Sequence, residues 1–305
     1  MVKLSIIVSS YNTEKYLARC FDSLVNQLEG EIEIIVVNDG STDHGQNIID
    51  TYVCRYPKIF KSYVRNHNGG PGIARNDGLQ YVTGEYITFV DSDDWIDVGL
   101  YSTMYQEAIN NNCDIVCCDF IEYYTNKTSL VSVKNTQNKY FGNMLVWNKI
   151  YKRDFWRKYN FCFIPSILHE DNELIPKVLS VAKNIGYVEG IHYNYERRNS
   201  TSITSGNMRH LQFFPEIVEN LNQWRIDNCP TDSLLADFIS HMAYIYIIEV
   251  RDVTLAEPFF HKWKIYFKYS RFHSFNNWII LFLFSVNFKI TYKLRSIIKI
   301  KHTKK

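Results

Sequence analysis

Apolar and polar positions alternate between two periods along the first ninety residues. Leu4 to Val8 is a short, mainly apolar run suited to a buried strand, after which Tyr16, Leu17, Cys20, Phe21, Leu24 and Leu28 recur at helical spacing. Ile32 to Val37 predicts a second strand, ended by the turn cluster NDGSTD, where Ser41 or Thr42 is placed to cap a helix carrying Ile48, Ile49 and Tyr52. Strand, helix, strand, helix is the opening rhythm of a parallel sheet. A weaker third strand follows at Phe60 to Val64, then a glycine loop from Asn66 to Gly72, a helix from Ile73 to Val82 broken at Gly84, and a fourth strand at Tyr86 to Val90. A helix is expected from Asp97 to about Asn111 and a strand from Asp114 to Tyr123. The polar stretch TNKTSLVSVKNTQNK reads as a surface excursion. Order resumes at VWNKIYKRDFW (146–156), IPKVLSVA belongs to another helix, and YNYERRNSTSIT (193–204) is a strand running into a turn. From about residue 207 the pattern is helical throughout. The expected architecture is α/β: a Rossmann-like, mostly parallel sheet flanked by helices over 1–206, and a helical region over 207–305.

Charge divides the chain differently. The formal net charge is +2, but the stretch from Pro258 to Lys305 holds eleven Lys or Arg and no acid, which leaves −9 on the rest. A basic tail with interleaved Trp and Phe points to an anionic membrane surface rather than nucleic acid. Its continuous apolar run, Trp278 to Phe284, is far shorter than the roughly 20 residues of a spanning helix. Phe259, Trp263 and Phe267, then Val286, Ile290, Leu294 and Ile297, fall on helical faces with lysines placed to snorkel, although Lys301 falls on the apolar side. The alternative is that these helices pack on the folded body. The seven cysteines lack paired metal-site spacing and read as reduced and mostly buried. The first apolar run is too short for a signal-peptide core, so the expected location is cytoplasmic, peripheral on the inner face of the membrane.

The segment FVDSDDW, residues 89–95, sets three carboxylates behind a buried strand. Such a cluster repels itself unless a cation or hydrogen-bond donors neutralise it. Oxygen ligands with no His or Cys beside them favour Mg²⁺ or Mn²⁺, which commonly completes its octahedron with phosphate oxygens and water. In an open parallel sheet, ligands collect beyond the carboxyl ends of the strands, where both NDG (38–40) and DSDD (91–94) lie.

The stretches SIIVSSYNTEKYLARCFDSL, EIIVVNDGSTD, NGGPGIARNDGL and YITFVDSDDW resemble, in order and spacing, the nucleotide-sugar-binding half of the family 2 inverting glycosyltransferases with the GT-A fold. The resemblance covers residues 1–120, with an acceptor-side half at 121–206 that matches more loosely through WNKIYKRDFW, HEDNEL and YERRNSTSIT, in the manner of bacterial surface-polysaccharide transferases. It implies that Asp39 accepts from the uracil edge or ribose, that Tyr11 flanks the base and that Ser9 contributes backbone and shape. Arg75 is implied to reach the diphosphate or the base; its bland alternative is a surface ion pair with Asp77 or Glu85. Asp91 would hold the ribose with Ser92 beside it, and Asp93, with Asp91, would ligate the metal. Asp94 is left to orient the sugar or to cap the next helix, and Trp95 to pack. Asp171 of HED is the implied base, with Glu170 supporting or replacing it. Arg197 or Arg198 would steady the departing diphosphate, and His192 is a further candidate ligand. For Asn12 and Glu14 the expectation is N-cap and first-turn residue.

The resemblance thus implies transfer of one sugar from a nucleotide-sugar, a UDP-sugar by preference, to a lipid-linked or saccharide acceptor in capsule, exopolysaccharide or lipopolysaccharide assembly. The processive Q-x-x-R-W signature is absent, so one addition per encounter is expected. Two rivals stand beside this reading: an Asp-nucleophile phosphatase, whose D-x-D normally opens its fold, and a catalytically degenerate membrane scaffold.

Overall fold

The computed structural model describes residues 2–134, 139–140, 144–165, 167–197, 208–250, 252–269, 288 and 292. They fall into two compact units, Met1–Gln137 with Gly142–Ser205, and Asn138–Phe141 with Gly206–Lys305.

In the first unit, strands β1 (Leu4–Ser10), β2 (Ile32–Asn38), β3 (Phe60–Val64), β4 (Tyr86–Asp91), β5 (Trp95–Ile96), β6 (Ile115–Tyr123), β7 (Thr128–Val131), β8 (Lys149–Lys152) and β9 (Ile185–Glu196) form one sheet in the order β3-β2-β1-β4-β8-β6-β9-β5, with β7 on β6. Its helices are α1 (Glu14–Leu24), α2 (Gly45–Arg55), α3 (Pro71–Leu79), α4 (Leu100–Asn110), α5 (Arg153–Lys158) and α6 (Glu170–Val181). The first four strands in chain order pair in parallel, as their helix-separated spacing requires. Beyond β4 the sheet is mixed: β8 runs antiparallel to both β4 and β6, β9 parallel to β6, and β5 antiparallel to β9. The expectation of a mostly parallel sheet therefore holds for the first half only.

All seven positions of β2 are buried, Glu33 included. That carboxylate is tolerated because it accepts from Ser5 Oγ at 2.6 Å, Thr83 N at 2.6 Å, Thr83 Oγ1 at 2.8 Å and Lys61 Nζ at 2.8 Å. Burial alone would push its pKa up; the donors from Lys61, Ser5 and Thr83 outweigh it and hold the group below the usual carboxylate range. α1 buries Leu17, Cys20, Phe21 and Leu24, the spacing read from the sequence. Gly78 lets α3 lie close on β1, since a Cβ there would stand 2.6 Å from Ile7 Cγ2.

Several local expectations change. Part of the polar excursion is β7, paired with β6, and Val133 beyond it is buried with its N–H on Asp119 Oδ1. Asp43, not Ser41 or Thr42, closes the start of α2 by accepting from Gly45 N at 3.0 Å, and α3 ends at Leu79 rather than Val82. All seven cysteines are free thiols; Cys20, Cys113, Cys117 and Cys118 are buried, whereas Cys54 and Cys162 are exposed.

The second unit contains a 3-10 turn (Met208–Phe213) and helices α7 (Phe214–Asn228), α8 (Ser233–Glu249) and α9 (Val253–Tyr269). Asp232 caps α8 by accepting from Leu235 N and also takes the Tyr140 hydroxyl at 2.6 Å. Phe259 and Trp263, expected on a membrane-facing stripe, are buried inside this unit, Phe259 against Tyr246. The run from Trp278 to Phe284 and positions Val286, Ile290, Leu294, Ile297 and Lys301 lie outside the described residues. Among the described residues no helix is long and apolar enough to cross a membrane.

Candidate active site

Register brings the candidate residues to one edge. Ser9 of β1 is paired with Val37 on one side and Asp91 on the other, so the ends of β1, β2 and β4 open side by side. Just past β1, Tyr11 is 44% exposed and Asn12 takes a positive φ of 54°. Asn12 caps nothing. Its N–H donates to Ser41 Oγ, and its Oδ1 accepts from Thr42 N at 2.8 Å. Glu14 completes this tie: its N–H donates to Asp43 Oδ2 at 2.9 Å and its Oε2 accepts from His44 N at 2.7 Å. The loops after β1 and β2 are thus stapled in both directions.

Asp39, after β2, is 2% exposed and surrounded by donors. It accepts from Gly69 N at 3.0 Å and Gly70 N at 2.8 Å, and forms an ion pair with Arg65. Arg65 also reaches Asp77 Oδ2 at 2.8 Å through its Nε. Arg65 was passed over in the sequence reading; a cation directly after a strand that ends beside NDG is the signal that could have found it.

The acidic turn after β4 sorts its four residues by environment. Asp91 keeps 28% of its side chain exposed and accepts from Arg75 at 2.7 Å. Ser92 is buried, its Oγ 2.8 Å from Thr13 Oγ1. Asp93 is half-buried, with its carbonyl accepting from Arg19 at 2.6 Å. Asp94 is fully buried, accepting from Tyr193 Oη and Glu196 N, both at 2.7 Å. Asp94 therefore anchors the turn to β9; it is available neither for a sugar nor for capping α4. Burial, then the charges of Asp93 and Asp91, push its carboxyl well above the usual range. Trp95 packs as expected, its ring under the Arg19 guanidinium at 3.8 Å and beside Tyr123 at 4.6 Å. Arg19 and Tyr193 are further residues that the sequence reading missed.

Arg75 is 4% exposed and lies within α3 between two acidic groups. One nitrogen meets Asp91, another pairs with Glu170 and lies 3.7 Å from Asp171, and the guanidinium faces the Phe163 ring at 5.4 Å. Asp77 and Glu85 are engaged elsewhere, with Arg65 and the Tyr105 hydroxyl, so the surface-pair alternative fails. α6 starts behind His169, held at φ 64°, and presents Glu170, Asp171 and Glu173 in its first turn. Glu170 is buried against Arg75, while Asp171 keeps 21% of its side chain exposed. Burial pushes Asp171 up to about 7, helped by Glu170 and Asp91 and opposed by Arg75 and the Val146 N–H. A carboxyl poised near neutrality can take a proton from a hydroxyl at physiological pH. Of the two acids in HED, Asp171 keeps the more exposed side chain.

His192 is tied to Asp97, its N–H on Oδ2 at 2.9 Å and its Nδ1 3.3 Å from the same oxygen. Arg197 pairs with Glu122 at 2.9 Å; Arg198 lies outside the described residues. Among the described residues no set of three or more His, Cys, Asp or Glu is disposed to hold a metal. What fits a divalent cation is the chemistry of the turn: two partly exposed carboxylates, Asp91 and Asp93, whose charges add to burial in pushing the Asp94 carboxyl up. Such a pair suits a Mg²⁺-like ion that takes its remaining ligands from phosphate and water.

The profile of glycosyl transferase family 2 matches residues 5–167. The EpsJ glycosyltransferase of Bacillus subtilis is 30% identical over 237 residues, 72% of this chain and 67% of its own length. Glycosyltransferase GlyA of Streptococcus pneumoniae is 31% identical over 220 residues, 65% of this chain; the match spans only 31% of GlyA. Among solved structures, Staphylococcus aureus TarS 1–349 in complex with UDP-GlcNAc is similar with a TM-score of 0.79 at 19% identity, over 98% of this chain and 92% of that one, which fixes the fold as GT-A-like. The profile match takes in β1 through the loop before α6, more than half of the residues, and the chain belongs to glycosyl transferase family 2.

Proposed function

We propose that the chain transfers one sugar from a nucleotide-sugar, of the UDP class, to a saccharide or lipid-linked acceptor hydroxyl with inversion, in the assembly of a bacterial surface polysaccharide. The observation that carries this is the buried Arg75, which joins Asp91 on the donor side to Glu170 and Asp171. The similarity to TarS, solved with UDP-GlcNAc, and the match to the poly(ribitol-phosphate) beta-glucosyltransferase of Bacillus spizizenii, 40% identical over 116 residues, support the donor class and the polymer setting. The latter match covers 37% of this chain and 18% of that protein.

In this reading Tyr11 flanks the base, with Ser9 shaping the strand end below it. Asp39, held by Arg65, Gly69 and Gly70, presents a fixed negative edge to the nucleoside, and Asp91 and Ser92 border the ribose. Asp91 and Asp93 would hold Mg²⁺ or Mn²⁺, which when bound offsets the charge gathering on the diphosphate. Asp171 accepts the proton of the acceptor hydroxyl as that oxygen bonds to the anomeric carbon; the bond to the nucleoside diphosphate breaks on the opposite face. Glu170 stays with Arg75 and fixes the first turn of α6. Arg198 and the basic tail complete the proposal as a diphosphate contact and a membrane-surface contact.

The test is a panel of nucleoside diphosphates in thermal shift, with and without Mn²⁺, followed by mass analysis of products from UDP-sugars and a saccharide acceptor. A Mn²⁺-dependent shift with UDP and a single-sugar product are expected; at a hundredfold excess over Kd, linkage gives about 2.7 kcal/mol of stabilisation. Full transfer by Asp93→Ala after chelation would overturn the metal role, and trapping of an aspartyl-phosphate would overturn the reaction class.

A further inference from the structure

Lys149 is fully buried in β8, an unusual place for an ammonium group. Its Nζ donates to Leu145 O at 2.6 Å and to Asn148 Oδ1 at 2.7 Å. Two residues between these partners are held as well: Val146 O accepts from Tyr151 Oη at 3.0 Å, and Asn148 exchanges bonds with Cys118, Nδ2 to O at 3.1 Å and O from Cys118 N at 3.0 Å. The closed loop 145–149 faces the site at two points. The Val146 N–H lies against the Asp171 carboxylate and favours its ionised form, and the Trp147 ring stacks at 4.3 Å on Tyr193, whose hydroxyl donates to Asp94 and accepts from Asp91 N.

We infer that Lys149 is a positioning residue for the transfer step: its buried ammonium closes the 145–149 loop so that Val146 N–H meets Asp171 and Trp147 braces the acidic turn. The inference rests on Asp171 being the base. A merely structural lysine would need no charge here, because an apolar side chain fills a sealed pocket at less cost. Burial pushes the Lys149 ammonium down to about 8, and the Asp171 carboxylate opposes that shift, so that each favours the charged form of the other. The groups facing Lys149 are Cys117, Cys118 and Asp171; those facing Asp171 are Glu170, Arg75 and Asp91 besides. Loss of the charge therefore has a predictable direction: ionised Asp171 loses a favourable neighbour, and its titration moves to higher pH.

The experiment compares Lys149→Met, Lys149→Arg and Asp171→Asn in the full chain by the pH dependence of kcat/KM for a UDP-sugar, with UDP binding by calorimetry as the check on folding. Lys149→Met is expected to bind UDP within about threefold of the parent, to lose at least about tenfold in kcat, and to move the acid limb up by about half a pH unit or more. Lys149→Arg, which keeps the charge, is expected to keep the parent's acid limb even where its bulk lowers the rate. If Lys149→Met binds UDP and retains both the rate and the acid limb while Asp171→Asn is inactive, the positioning role is wrong and the base assignment stands. If Asp171→Asn is itself active, the assignment beneath it fails. If Lys149→Met no longer binds UDP, Lys149→Arg decides: an acid limb moved despite the retained charge overturns the inference, and an unmoved one supports it.

Discussion

Asp39 and Asp171 are both drawn out of bulk water beside α3, yet the chain treats them in opposite ways. Asp39 is compensated within its own surroundings by Arg65 and two backbone amides. Asp171 has a shared arginine at 3.7 Å and other acids close by, and burial pushes it up to about 7. The first carboxylate is a finished piece of architecture that offers a fixed charge. The second is held in an environment that resists its ionised form, which is what a proton acceptor requires and a structural group does not.

The sharpest way to break this contrast is Asp171→Asn, which should cut kcat by about a thousandfold while leaving UDP binding intact, as measured by product formation and calorimetry. Next is Arg75→Met: it leaves Glu170 buried without its partner and should cost about 3–4 kcal/mol in denaturant unfolding, besides transfer. The third compares Asp171→Asn with the parent in stability against pH. A carboxyl whose folded pKa exceeds its unfolded value costs nothing below the unfolded value near 4, and the full penalty above about 7. The variant should therefore be more stable at pH 8 by on the order of 2 kcal/mol and no more stable at pH 3.5. Activity should run the other way in the parent, with kcat/KM climbing as pH rises toward about 7. The smallest effect is expected from Asp39→Asn, about 1 kcal/mol of stability with a raised KM for the donor and a nearly unchanged kcat, because the amide keeps an acceptor for the glycine N–H groups.

Much of the first half was legible. β1, β2 and β4 are mainly apolar runs whose ends carry turn residues, so their positions and the edge that gathers Asp39 and Asp91 followed from period and punctuation. β5 and β7 were not, because two and four residues of sheet edge give no period to count. The acids were found as acids, while their partners were not: Arg75 meets Glu170 across 95 positions, Tyr193 meets Asp94 across 99, and Arg19 reaches Asp93 across 74. Local spacing suggested Asp77 for Arg75, and tertiary structure gave Asp77 to Arg65 instead. Trp263 shows the same limit from the other side: read as part of a lipid-seeking stripe, it is interior to the helical unit.

α6 contains Pro176, six residues after Glu170. A proline brings no N–H, so the carbonyl four positions back, at Asn172, receives no helical bond from it. The segment bearing Asp171 is thus joined to the rest of its helix through one rung fewer than an unbroken ladder would supply. A joint of that kind lets the front of a helix tip by a small angle without tearing any backbone pairing, and under the proposed function that tilt would let Asp171 follow its hydroxyl.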